Sequence, residues 1–168
     1  MKQLKEKKVF FLDLDGTIYL DGILFDNIKE LIDLLKKKKH LFFLSNNSSI
    51  STNDYFKKLK NVGLDISIEN IIISTHPTIQ YLRENNFKWI YLLGTKSLQN
   101  EFTEKGFELT DKNPQIVVLA FDKELTYEKL EKAAYFLHDG LPYIATHPDK
   151  VYFTPFHIFG LNYVKKIK

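Results

Sequence analysis

The apolar run Val9-Phe10-Phe11-Leu12 stops at two carboxylates one residue apart, Asp13 and Asp15, and passes straight into Gly16-Thr17. A short apolar run with such an abrupt polar end predicts a buried strand of a parallel sheet. In open α/β sheets, ligands bind just outside the carboxyl ends of the strands. The segment therefore fixes both a fold class and a place where chemistry is done. Residues two apart at a strand end can face one pocket while the residue between them, here Leu14, faces away. One carboxylate can then attack or hold a metal while the other moves a proton. A plain strand followed by an Asp-Gly turn would need neither Asp13 nor Thr17.

The rest of the chain repeats the strand and helix alternation. Ile28, Leu31, Ile32 and Leu35 form one helical stripe, with Asp26 placed to cap it. His40-Leu41-Phe42-Phe43-Leu44 predicts a second buried strand. Ser51 with Asp54 has the form of a capping box, opening a helix with Tyr55, Phe56, Leu59 and Val62 inward and Gly63 as its stop. Residues 71–74 form a short apolar strand or connector, 75–85 a helix and 89–93 a strand. A helix around Leu98 and Phe102 follows, then strands at 107–109 and 116–120. Leu130, Ala133, Ala134 and Leu137 mark another helix, and residues 143–145 a strand ending in Thr146-His147-Pro148-Asp149. Residues 161–167 have the pattern of an amphipathic helix. Trp89 and the numerous Phe and Tyr residues are expected in the core. The alternation argues α/β throughout.

Composition excludes several function classes. A chain of 168 residues suits one ordinary domain or a small domain carrying an insert, and a 44% hydrophobic fraction is that of a globular protein. With no cysteine there is no disulfide, thiol nucleophile or Cys-based zinc site. The formal charge of +3 is mild, and Arg83 is the lone arginine, so a nucleic-acid surface is not expected. No stretch is long and apolar enough for a membrane span or a signal peptide, which leads to a cytoplasmic expectation. His76, His147 and His157 lack the local spacing of a metal site.

The second strand also ends in a polar cluster, Ser45-Asn46-Asn47-Ser48-Ser49. A hydroxyl and free backbone N–H groups at a strand end form a small anion site. A phosphoryl group held by Ser45 and the Asn46 backbone could face Asp13, provided the two strands are neighbours, as a β-α-β unit of this length favours.

These stretches together resemble the haloacid dehalogenase superfamily, and within it the NagD, 4-nitrophenyl phosphatase, pyridoxal phosphatase and phosphoglycolate phosphatase group. Asp13-Leu14-Asp15-Gly16-Thr17, continuing through Ile18-Tyr19-Leu20-Asp21-Gly22, is similar to that group's opening, and Ser45-Asn46-Asn47-Ser48 to its second motif. Leu93-Gly94, Leu98, Gly106, Ala120-Phe121-Asp122 and Leu125-Thr126-Tyr127-Glu128-Lys129-Leu130 resemble its cap. Ala145-Thr146-His147-Pro148-Asp149 resembles its Thr-Asn-x-Asp segment, with His147 where Asn is usual.

The resemblance implies an α/β fold: a Rossmann-like parallel-sheet core, incomplete here, with an inserted α/β cap. The first part of the core would span 1–76, the cap 77–150, and the return to the core 151–168. Asp13 would be the nucleophile and Asp15 the acid and base. Mg²⁺ would be held by the Asp13 carboxylate and the Asp15 carbonyl, and Ser45 with Asn46 would bind phosphate. His147 and Asp149 would lie near the substrate on the cap-to-core return. The substrate would be a small phosphorylated metabolite, and a homodimer through the cap is compatible with the pattern. An acid at Asp15 indicates a phosphatase, not a dehalogenase or a transport ATPase of the same superfamily.

The superfamily pattern continues with a lysine and a further acidic pair beyond the cap, yet the residues after Asp149 contain no Asp or Glu. Lys165 and Lys166 precede the expected lysine strand. Mg²⁺ needs near-octahedral oxygen coordination, so fewer ligands mean weaker binding. A sheet without its later strands would expose an edge and apolar surface. The expectation is the first part of a longer Mg²⁺-dependent phosphatase, with a catalytically silent binding or dimerising module, or a phosphotransferase, as the alternatives.

Overall fold

The computed structural model describes residues 2–148, 151–153 and 158–160. By its contacts the chain forms two compact units, one built from residues up to Ser45 with Thr52–Ile73, the other from Asn46–Ser51 with the chain from Ser74 onward.

The first unit contains α1 (Lys2–Glu6), β1 (Val9–Asp13), the two-residue strands β2 (Tyr19–Leu20) and β3 (Ile23–Leu24), α2 (Ile28–Lys36), β4 (His40–Ser45), α3 (Thr52–Asn61), a 3₁₀ turn at Ile68–Asn70 and β5 (Ile71–Ile73). Its main sheet is parallel, in the order β1-β4-β5, so the first two strands are neighbours as the short crossover led one to expect. The register sets Phe11 beside Phe42 and Asp13 beside Leu44. One face of this sheet carries Leu41, Phe43, Ile71 and Ile73, all buried. The other carries Val9, Phe11 and Phe42. Phe11 stacks on Phe42 at 5.5 Å yet stays 58% exposed. Among the described strands β1 is an edge, and its outward face is apolar. Parallel sheets are ordinarily covered on both faces.

Two details depart from the sequence expectation. Asn27, not Asp26, is the N-cap of α2, and it adopts a left-handed conformation (φ 63°) without a side-chain cap bond. Asn tolerates this region better than most residues because its short polar side chain can bond locally. The expected stripe on α2 buries only Ile32 fully, and Leu31 is exposed. The β2–β3 hairpin was not anticipated. Asp21 and Gly22 both have positive φ, the two-residue turn that Asp-Gly favours between short strands.

The second unit contains α4 (Thr75–Glu84), β6 (Trp89–Leu93), α5 (Lys96–Glu104), β7 (Glu108–Leu109), β8 (Ile116–Leu119), α6 (Tyr127–His138), β9 (Tyr143–Ala145) and an antiparallel pair, β10 (Val151–Phe153) and β11 (Ile158–Gly160). Its four-stranded sheet is wholly parallel, in the order β7-β6-β8-β9. Here both faces are covered. Ile90, Leu92 and Val118 pack with Ile79, Leu82, Leu98 and Phe102 on one side, while Tyr91, Leu93 and Val117 pack with Ala133 on the other. This explains why β6 and β8 read as continuous apolar runs instead of alternating ones. Each fully buried aliphatic side chain contributes about 1.5–3 kcal/mol.

Trp89 is not in the core. It starts β6 at the sheet rim, 45% exposed, donates from Nε1 to Glu108 at 2.8 Å, and lies beneath the Lys88 ammonium. Tyr127, Tyr135 and Tyr143 are likewise exposed. A phenol or indole can satisfy its polar end at a surface, so aromatic content alone does not mark a core. The helix expected at 161–167 and the lysines Lys165 and Lys166 lie outside the described residues.

The polar loop after β4 is part of the second unit's interior. Ser48 is fully buried, its Oγ accepting from the Phe121 N–H at 2.9 Å and from the Thr146 hydroxyl at 2.7 Å. Thr95, the N-cap of α5, donates to the Ser49 carbonyl at 2.9 Å. The Ser49 Oγ, by contrast, is buried without a partner among the described residues. Ser48→Ala is therefore expected to destabilise the protein by about 2–3 kcal/mol, because a buried N–H loses its acceptor. Ser49→Ala should leave stability within about 0.5 kcal/mol or raise it, since an unsatisfied hydroxyl is removed. Urea unfolding of the two variants, side by side, checks the contrast.

Candidate active site

The site is built at the carboxyl end of β1 in the first unit. The chain leaves the strand at Asp13, buries Leu14 completely, and turns at Gly16, whose φ of 82° suits a residue without a side chain. The Gly16 N–H bonds the Tyr19 carbonyl, so the turn folds back and brings Tyr19 over Asp15. Leu14 thus faces away from the two aspartates, as the two-residue spacing requires.

The two carboxylates have different surroundings. Asp13 is exposed and accepts a 2.9 Å bond from the Thr17 hydroxyl. Asp15 is half-buried and accepts from four side chains. Its Oδ1 receives the Tyr19 hydroxyl at 2.9 Å and the Lys58 ammonium at 3.4 Å. Its Oδ2 receives the Tyr55 hydroxyl at 2.8 Å and the Ser45 hydroxyl at 3.1 Å. Ser45 and Tyr55 are themselves 2.8 Å apart, closing a triangle with Oδ2. Tyr19 and Tyr55 are buried. Burial, and next the Asp15 charge, push the Tyr55 hydroxyl far above the ordinary phenol value, so it remains a neutral donor.

Asp13 and Asp15 share a strand end, and Ser45 joins Asp15 from β4. Asn46 belongs to the second unit, where its carbonyl accepts from the Ser74 hydroxyl at 3.2 Å. His147 follows the buried Thr146 in that same unit and is half-buried, while Asp149 lies outside the described residues. The sequence reading missed Tyr19 and Lys58 and took Tyr55 for a core residue. A signal existed. Tyr55 and Lys58 are three apart on α3, hence neighbours on the helix surface, so an acid reached by one lies within reach of the other.

The donors available for a metal are oxygens, the kind Mg²⁺ takes. The exposed Asp13 carboxylate could offer such an ion one of these oxygens. Among the described residues no group of three or more His, Cys, Asp or Glu side chains could hold a metal by itself. Among them, too, no helix is long and apolar enough to cross a membrane.

A family model described as haloacid dehalogenase-like hydrolase matches residues 10–108. The chain is 33% identical over 150 residues to the acid sugar phosphatase of Staphylococcus aureus, a match that takes in 87% of this chain and 58% of that protein. The chain thus spans little more than half the length of the curated relatives it matches. The solved 4-nitrophenylphosphatase of Thermotoga maritima superposes with a TM-score of 0.92 at 38% identity, over 98% of this chain and 64% of that one. NagD from E. coli K-12 superposes at 0.81 and 28% identity, over 96% of this chain and 65% of that one. With its parallel α/β sheets and its strand-end aspartates, the chain belongs to the haloacid dehalogenase-like hydrolases.

Proposed function

We propose that this chain carries the phosphoryl-accepting half of a phosphatase centre, acting on the phosphomonoester of a small metabolite. The observation that carries this is the contrast between an exposed Asp13, free to approach a phosphorus atom, and an Asp15 fixed two residues away. A carboxylate oxygen of Asp13 attacks phosphorus while the ester P–O bond breaks. Asp15, once protonated, gives that proton to the departing oxygen. Water then surrenders a proton to Asp15 and attacks phosphorus, releasing phosphate and restoring Asp13. Bound Mg²⁺, held by Asp13 and the Asp15 carbonyl, would offset the charge of a dianion meeting a carboxylate. The relatives' names, acid sugar phosphatase and 4-nitrophenylphosphatase, support the class and leave the substrate open.

The test is release of nitrophenolate from 4-nitrophenyl phosphate by the 168-residue chain in Mg²⁺, with EDTA as control. Metal-dependent turnover supports the assignment. Its absence across a wide Mg²⁺ range favours the second reading, a catalytically silent module of the same family. That reading draws on there being, among the described residues, no group of three or more His, Cys, Asp or Glu side chains able to hold a metal.

A further inference from the structure

We infer that Lys58 is a positioning residue for Asp15, fixing the plane of its carboxylate from α3. The inference rests on Asp15 as the proton-transfer group of the proposed phosphatase. A carboxylate on a short turn can rotate about two bonds, and only donors on both oxygens fix it. Tyr55 and Ser45 hold Oδ2. Oδ1 is held by Tyr19 and Lys58. Lys58 is itself held in place: its ammonium sits 4.2 Å above the Tyr19 ring and 5.8 Å from the Tyr55 ring. Both rings are buried, so the ammonium rests on fixed aromatic faces, the Tyr19 face nearest.

This arrangement does little for stability. The Lys58 and Asp15 side chains remain 35% and 25% exposed, and partly solvated ion pairs contribute weakly. Its effect is orientational. Lys58 aligns Oδ1 and, through the Tyr19 ring, the hydroxyl that shares that oxygen. Proton transfer falls off sharply when the transferring group leaves hydrogen-bond reach, so an unclamped Asp15 loses rate without losing substrate.

The experiment compares wild type with Lys58→Met, Lys58→Gln and Lys58→Arg in two measurements. Crystal structures report the Asp15 side-chain conformer, and steady-state hydrolysis of 4-nitrophenyl phosphate in Mg²⁺ reports kcat and KM separately. In Lys58→Met and Lys58→Gln, the Asp15 Oδ1 side is expected to shift away from its Tyr19 contact or to split between conformers. The kcat should fall about 10–100-fold, part of what a positioned acid and base supplies, with KM within about two-fold. Lys58→Arg should restore most of both. An Asp15 that stays within about 0.5 Å of its wild-type position in both neutral variants overturns the inference. So does an unchanged kcat, or a loss that appears in KM alone. If the wild-type chain turns nothing over, the phosphatase assignment fails by itself, and the Asp15 conformer still decides whether Lys58 positions it.

Discussion

Replacing Asp13 by Asn is expected to abolish metal-dependent phosphate release, lowering kcat by roughly 10³-fold or more while the protein stays as stable as wild type. The size follows from the nucleophile role proposed for Asp13. A group that forms the covalent bond cannot be substituted by its neighbours, and removing one member of a cooperating set costs most of the rate. Asn is nearly isosteric but its amide is a poor nucleophile and a weaker ligand for a hard cation. The stability half follows from exposure. Asp13 is solvated and its one identified partner is the Thr17 hydroxyl, which can bond an amide oxygen equally well. Thermal melts of the two proteins, run beside the nitrophenyl phosphate assay, separate loss of chemistry from loss of fold. Turnover that persists in Asp13→Asn would remove Asp13 as the nucleophile.

The second large effect is structural and lies in the other unit. The Asp122 side chain is fully buried, with 0% exposure, and Lys129 meets it at 2.9 Å. Its other oxygen accepts the Glu124 N–H at 2.8 Å. The same ammonium also donates to the carbonyls of Glu124 at 3.1 Å and Gly94 at 3.4 Å. Lys129 thus ties the turn after β8 to the ends of β6 and α6. Truncating it to Met would strand a buried carboxylate and two carbonyls at once. Breaking one partner of a buried pair costs about 3–5 kcal/mol, because the remaining charge, left with the Glu124 N–H, is poorly compensated for its lost hydration. For a chain of this size that is a fall of about 10–15 °C in melting temperature. Adding Asp122→Asn to Lys129→Met should recover a substantial part, since it removes the uncompensated charge. A double-mutant cycle by chemical unfolding measures the coupling. Additive effects of the two substitutions would show that the pair is not the element holding this turn.

A smaller pH effect sits at His76 on α4. Burial, before any charge, lowers its pKa below the ordinary 6.5, with Lys105 acting in the same direction and Glu101 opposing. The folded protein therefore favours the neutral ring. Its contribution is present above 6.5 and is lost as pH falls from there through the lowered folded value. His76→Gln should flatten the acid side of a melting-temperature profile in that window. An unchanged profile would show that other groups govern it.

The α/β class, the strand ending at Asp13 and Asp15, and the helices over α4 and α6 were legible in the sequence because each depends on a local period or a strand-end punctuation. The placement of Trp89 was not. Its surroundings are set by where the sheet ends, and a hydrophobic scale carries no information about rims. The cap of α2 fell one residue late because Asn27 can take a left-handed conformation that shortens the approach to the helix.

The sequence by itself determined which residues are candidates for chemistry, two carboxylates two residues apart after an apolar strand and a second polar strand end in Ser45, and the family to which they point. Only the tertiary structure decided which carboxylate is enclosed by donors and which stays exposed. The donors to Asp15 come from 4, 30, 40 and 43 residues away, namely Tyr19, Ser45, Tyr55 and Lys58. The physical reason is that a helix or strand period says which side of an element a residue faces and nothing about what it meets there. That meeting is set by the parallel register of β1 on β4 and by the face α3 turns toward them, which exist only once the sheet has formed.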